Sequence, residues 1–155
     1  MKTRRLFLVL IMAVSVLLGS CATTKKAIPE EDFFEAFSGT WVNTEYSGAN
    51  PRFQKRINYP DGAWEFYRMI SDITPREKGK STIIDKWIDS SGNILYKSHW
   101  ESKLWVFTDP VEGYEMGKIS KSGNTLELLF YFGDYPIEEW EPDNIRYHYW
   151  IYYRQ

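Results

Sequence analysis

The chain has one cysteine, Cys21, two histidines, and almost no excess of either charge over 155 residues. A lone cysteine excludes an internal disulfide and any zinc site built on several thiolates. With 19 basic and 21 acidic side chains the formal charge is −2, which leaves no electrostatic footprint for nucleic acid. There is no Gly-x-Ser-x-Gly elbow, phosphate-binding glycine loop or clustered metal-ligand motif, so no catalytic residue, metal or cofactor is expected. Beyond the first twenty residues, long apolar runs are missing and no window sustains a helical period. Aromatic residues, in contrast, are abundant: seven Trp, eleven Tyr and nine Phe. The balance is that of one folded domain, not a disordered chain.

Met1 to Ser20 reads as a secretory signal. Lys2, Arg4 and Arg5 precede an apolar run from Leu6 to Leu18, broken only by Ser15, and small residues follow. That run is short for a membrane span, which needs roughly 20 apolar residues. Leu18-Gly19-Ser20-Cys21 resembles the lipobox of bacterial lipoproteins. The resemblance implies cleavage before Cys21 and acylation of its thiol and amine. Three acyl chains at about 0.8 kcal/mol per buried methylene would anchor the protein permanently. Ala22 replaces the Asp that retains enterobacterial lipoproteins on the inner membrane, which implies outer-membrane sorting within a bacterial cell envelope. The leader carries three of the basic groups and none of the acidic ones, so the chain from Cys21 onward has a formal charge of −5. Residues 21–32 read as a lipidated tether running into a short helix.

Residues 33–155 read as one all-β domain. Pro29 and the acids Glu30, Glu31 and Asp32 suit the start of a two-turn helix ending at Phe37. Strands are expected over Thr40–Tyr46, Phe53–Tyr59, Ala63–Ile70, Ser81–Ile88, Ile94–Ser102, Leu104–Phe107, Tyr114–Ser120, Thr125–Phe132 and Ile145–Arg154. Pro60-Asp61-Gly62, Ser90-Ser91-Gly92-Asn93 and Lys121-Ser122-Gly123-Asn124 supply hairpin turns between them. Eight or nine antiparallel strands suit closure into an up-and-down barrel, which removes the exposed edges of an aromatic sheet.

Gly39-Thr40-Trp41, at the mouth of the first strand after a helical turn, resembles the entry motif of lipocalins and their calycin relatives. That family packs a basic side chain of the last strand over the Trp, a role the resemblance assigns to Arg154. Gly39, Trp41 and Arg154 are thus expected to close the fold. A guanidinium on an indole contributes about 0.5–2 kcal/mol.

The aromatic excess has two readings. Rings such as Trp64, Phe66, Trp87, Tyr96, Trp100, Trp105, Phe107, Phe130, Tyr147 and Tyr149 either fill a narrow barrel or line a pocket. On the second reading the protein is a non-enzymatic module binding a small hydrophobic ligand, with Trp64, Trp87 and Trp100 lining it. The stretch Gly133–Asn144 sets five carboxylates around Tyr135 and Trp140. These rings either touch a partner, making the protein a tethered interaction or inhibitor domain, or cap the core. His99 and Glu101 share a strand face, a pair that supplies a proton donor or half a metal site and is the basis of a third, enzymatic reading, the weakest of the three; a metal needs further ligands.

Overall fold

Glycine punctuates three tight hairpins, and those hairpins set the whole topology. The computed structural model describes residues 25–43, 53–104 and 110–155. The leader, Cys21, Trp105 and Phe107 lie outside them. Gly62, Gly92 and Gly123 have φ of +82°, +86° and +74°, backbone that other residues adopt at a cost. They sit in connections of four or five residues joining β3 (Lys55–Asn58) to β4 (Ala63–Tyr67), β5 (Glu77–Ile88) to β6 (Ile94–Leu104), and β7 (Val111–Ile119) to β8 (Thr125–Tyr131). With β2 (Gly39–Val42) and β9 (His148–Arg154), eight strands run in the order β2 to β9, each antiparallel to its neighbours. The β2–β9 and β5–β6 pairings complete the ring. The fold is therefore an all-β, lipocalin-like, up-and-down barrel. A ninth strand, β1 (Lys26–Ala27), lies within the stretch read as tether. It pairs with Ile88 and Trp87 at the far end of β5.

The two ends of the barrel differ. One carries the three short hairpins and the helix α1 (Glu30–Phe37). The other carries the β2–β3, β4–β5, β6–β7 and β8–β9 connections, which span from six to sixteen residues. We call these the closed end and the mouth. Phe33 and Phe37, one helical turn apart on α1, are fully buried, and each ring meets Tyr96 with centroids 5.5 Å apart. The C-terminal carbonyls of α1, left without helical partners, are taken by barrel side chains. Trp41 Nε1 and Asn58 Nδ2 both donate to Phe37 O at 3.1 Å. Arg154 Nη2 donates to Ala36 O and Ser38 O.

Several boundaries move. β5 begins at Glu77 instead of Ser81, because Lys78 and Lys80 point to solvent while Glu77 and Ser81 point inward; an inward face made of Glu, Gly and Ser has no apolar signal. Leu104 ends β6 instead of opening a separate strand. β7 starts three residues early, at Val111. β9 starts three residues late, because Asn144 holds the backbone of Arg146 and Tyr147 in a turn.

Candidate functional site

Three inward rings of the barrel lie flat on glycines of the adjacent strand. Trp64 faces Gly79, Tyr96 faces Gly117 and Trp100 faces Gly113 in register, and a Cβ at any of these glycines would overlap the opposing ring. Glycine in a strand interior costs conformational entropy and packs nothing; here each vacancy is the seat of a large aromatic. Trp64, Phe66, Trp100, Phe130 and Trp150 form a continuous patch with centroids 4.6–6.4 Å apart. Phe132, half-exposed, meets buried Trp100 edge-on at 5.2 Å.

A charged network runs through this aromatic interior. Arg56 on β3 and Glu115 on β7, both fully buried, join through Nη1–Oε2 at 2.6 Å and Nη2–Oε1 at 3.2 Å. Arg56 Nε donates to Asn58 Oδ1 at 2.6 Å, and the Tyr96 hydroxyl donates to Glu115 Oε1 at 2.6 Å. The guanidinium lies 5.2–5.8 Å from the ring centroids of Trp64, Phe66 and Phe130. Burial, the largest single influence, opposes the charge on Arg56, but Glu115, Tyr96 and Tyr152 together outweigh it, so the guanidinium pKa is raised. Burial and the same carboxylate push the Tyr96 phenol well up. Ser102 donates to Glu77 Oε1 at 2.8 Å nearby.

Four other interior groups have no partner. The indole Nε1 of Trp64 and of Trp100 and the hydroxyls of Ser81 and Ser98 are buried without a hydrogen bond. Ser81 lies opposite Trp100 in the β5–β6 register, Ser98 is two residues before Trp100 on the same face, and the two indoles are 6.4 Å apart. Each orphaned group of this kind costs about 1–3 kcal/mol.

Of the lining candidates, Trp64 and Trp100 face the interior. Trp87 does not: it lies on the outer wall with Leu95, Met116 and Leu129, with Lys25 Nζ 4.0 Å above its ring. The reason is a bulge in β5 between Ile83 and Asp85, which reverses the alternation. Tyr147 and Tyr149 also pack outside, whereas Trp150 and Tyr152 supply the inner face of β9. The β8–β9 connection folds over the outer wall. Ile137 is buried there, Trp140 meets Tyr149 edge-on, and Lys97 pairs with Glu138. Trp140 packs against the buried cluster on the barrel's outer wall, while Tyr135 is 75% exposed. Arg154 lies opposite Trp41 in the β2–β9 register, with its guanidinium carbon 4.6 Å from the indole centroid. Cys21 is outside the described residues.

His99 and Glu101 are joined on the outer face by Glu112 of β7, whose carboxylate is 3.2 Å from His99 Nε2; the three ligand atoms lie within 4.8 Å of one another. Both glutamates are solvent-exposed. Sequence reasoning missed Arg56, Glu115, Ser81, Ser98 and Glu112. The inward glycines of β5 and β7 were the available signal for an unusual wall; the polar residues beside them carry none.

No family model matches the chain, and no curated protein or solved structure is significantly similar to it.

Proposed function

We propose that the protein is a lipid-anchored envelope lipoprotein that binds a small hydrophobic ligand in its barrel without catalysis. The observation that carries the binding reading is the asymmetry of the barrel. One end is plugged by α1, whereas at the other the aromatic wall runs from half-exposed Phe132 directly to buried Trp100. Pockets for apolar ligands are concave and mostly aromatic or aliphatic, with a few polar groups; Trp64, Phe66, Trp100 and Phe130 match that chemistry.

The anchor reading rests on the leader and Cys21. Lys26 pairs with Ile88 beside the β5–β6 hairpin, so the chain joins the barrel at its closed end. At about 3.6 Å per residue at most, the four steps from Cys21 to Lys25 span about 14 Å. On this reading the mouth faces away from the membrane that holds the lipid, toward whatever compartment supplies the ligand. Sorting to the outer membrane follows the resemblance at Ala22.

Native mass spectrometry of the protein from its own host, with Trp fluorescence against a lipid panel, tests the binding reading. A co-purifying small molecule and a saturable quench are expected; absence of both overturns it. For the anchor, Cys21→Ala should leave the detergent phase on phase separation, and retention there refutes lipidation.

A second reading, a tethered protein-interaction or inhibitor domain, is favoured by the β8–β9 connection, where Tyr135 and fully exposed Ile145 present apolar surface among carboxylates. A pull-down with Tyr135→Ser as the negative control tests it; equal recovery by both proteins counts against this surface.

A further inference from the structure

Resting on the barrel-binding reading, we infer that the ligand is a neutral molecule bearing an oxygen acceptor, such as an acyl ester, and that the Trp64 and Trp100 indole N–H groups bind that oxygen. Four orphaned groups share the inner wall of β4, β5 and β6: Trp64 Nε1, Ser81 Oγ, Ser98 Oγ and Trp100 Nε1. Buried polar groups are nearly always hydrogen-bonded. Four unpartnered ones grouped on adjacent strands mark a place where the protein alone does not complete its own chemistry.

The donor types select the ligand. An indole N–H donates and never accepts, whereas a serine hydroxyl does either. Two donor-only groups demand an acceptor, so a hydrocarbon satisfies neither of them and an ammonium group repels both. An anion is disfavoured for a different reason. The buried cation among the described residues, Arg56, is already held by both oxygens of Glu115 and by Asn58. A carboxylate placed here would find no free positive charge and would lie beside Glu115, whose register partner is Ser98. The remaining class is a neutral oxygen acceptor. The rings of Phe66, Phe130 and Trp150 around it supply apolar surface for the rest of the molecule.

The geometry also explains why both indoles are fixed. Trp64 is seated on Gly79 and Trp100 on Gly113, so each ring is clamped in orientation by the backbone beneath it. Preorganised donors bind more tightly than donors that must first be ordered.

The test uses the full chain held in amphipol, with methyl palmitate and hexadecane as paired probes competing against a bound naphthylamine dye. The ester should bind at least about tenfold more tightly than the alkane, the gain from one well-made hydrogen bond. In Trp64→Phe/Trp100→Phe, which keeps aromatic rings and loses both N–H groups, that preference should fall to about one. Indole ¹⁵N–¹H spectra of the wild type provide a second readout that does not depend on the variant's folding. The Trp64 and Trp100 resonances should move downfield with ester and stay in place with alkane. Equal affinity for the two probes, or static indole resonances with the ester bound, overturns the inference and leaves the binding reading intact. Binding of neither probe overturns both.

Discussion

Arg56 and Glu115, 59 residues apart in the chain, meet as a two-toothed ion pair inside the barrel. In the strand order, β3 and β7 are four places apart in a ring of eight, so the pair spans opposite walls. The Tyr96 hydroxyl and Asn58 complete its hydrogen bonding. Such a pair has recovered its desolvation only through that full set of partners.

Breaking it from one side should therefore be severe. Glu115→Leu leaves a buried guanidinium without its counter-charge and is expected to lose about 3–5 kcal/mol. Arg56→Met/Glu115→Leu removes both charges and should recover most of that loss. Urea denaturation of the two variants checks this, and a double variant no more stable than the single one would show that the network fixes the fold in some other way.

Gly117→Ala should destabilise the barrel by about 1–3 kcal/mol, the range for overpacking. The new methyl would overlap the Tyr96 ring, whose hydroxyl is held by Glu115, so the ring has nowhere to retreat. Thermal unfolding reads the cost directly. A midpoint equal to that of the wild type would mean that β6 and β7 part more easily than their register suggests.

Alkali should unfold the protein through its tyrosines. Burial first, then the Glu115 charge, raises the Tyr96 phenol; burial likewise raises Tyr152. A phenol whose folded pKa is raised favours the folded state fully below the unfolded value near 10 and ceases to as pH climbs through the folded value. Absorbance at 295 nm should show the buried Tyr96 and Tyr152 ionising in a step coincident with loss of the β signal in circular dichroism. Ionisation of all tyrosines in one step, with the fold intact, would contradict this.

Arg154→Ala should lower stability by about 1 kcal/mol. It removes a cation over Trp41 and a donor to two carbonyls at the end of α1. Because the side chain is exposed, added salt should shrink the difference. Hydrogen exchange should speed up first in β2 and α1; an effect spread evenly over the barrel would argue against a local clasp.

Much of this architecture is written locally. Pro60-Asp61-Gly62, the Gly92 turn and the Gly123 turn fix three hairpins, since positive φ at those positions follows from residue type. Period-2 alternation marks most strands, and the acids after Pro29 mark the one helix. Trp41 and Arg154 face each other across the β2–β9 pairing.

Facing was decided only by the tertiary structure. Where both sides of a strand are aromatic, as in β9, alternation defines two faces but not which one is inside. Trp150 and Tyr152 went in; Tyr147 and Tyr149 went out, under the β8–β9 connection. In β5, counting by twos from inward Ser81 would bring Trp87 inside, yet the extra residue near Ile84 turns it onto the outer wall. The meeting of Arg56 with Glu115, and of Glu101 with Glu112, depends on register around a closed ring. The sequence by itself determined the strands, the turns and the antiparallel order, because these follow from local backbone preference. Closure determined the interior network and the four unpartnered groups, because which side chains share an inner wall is fixed only when eight strands pair at once.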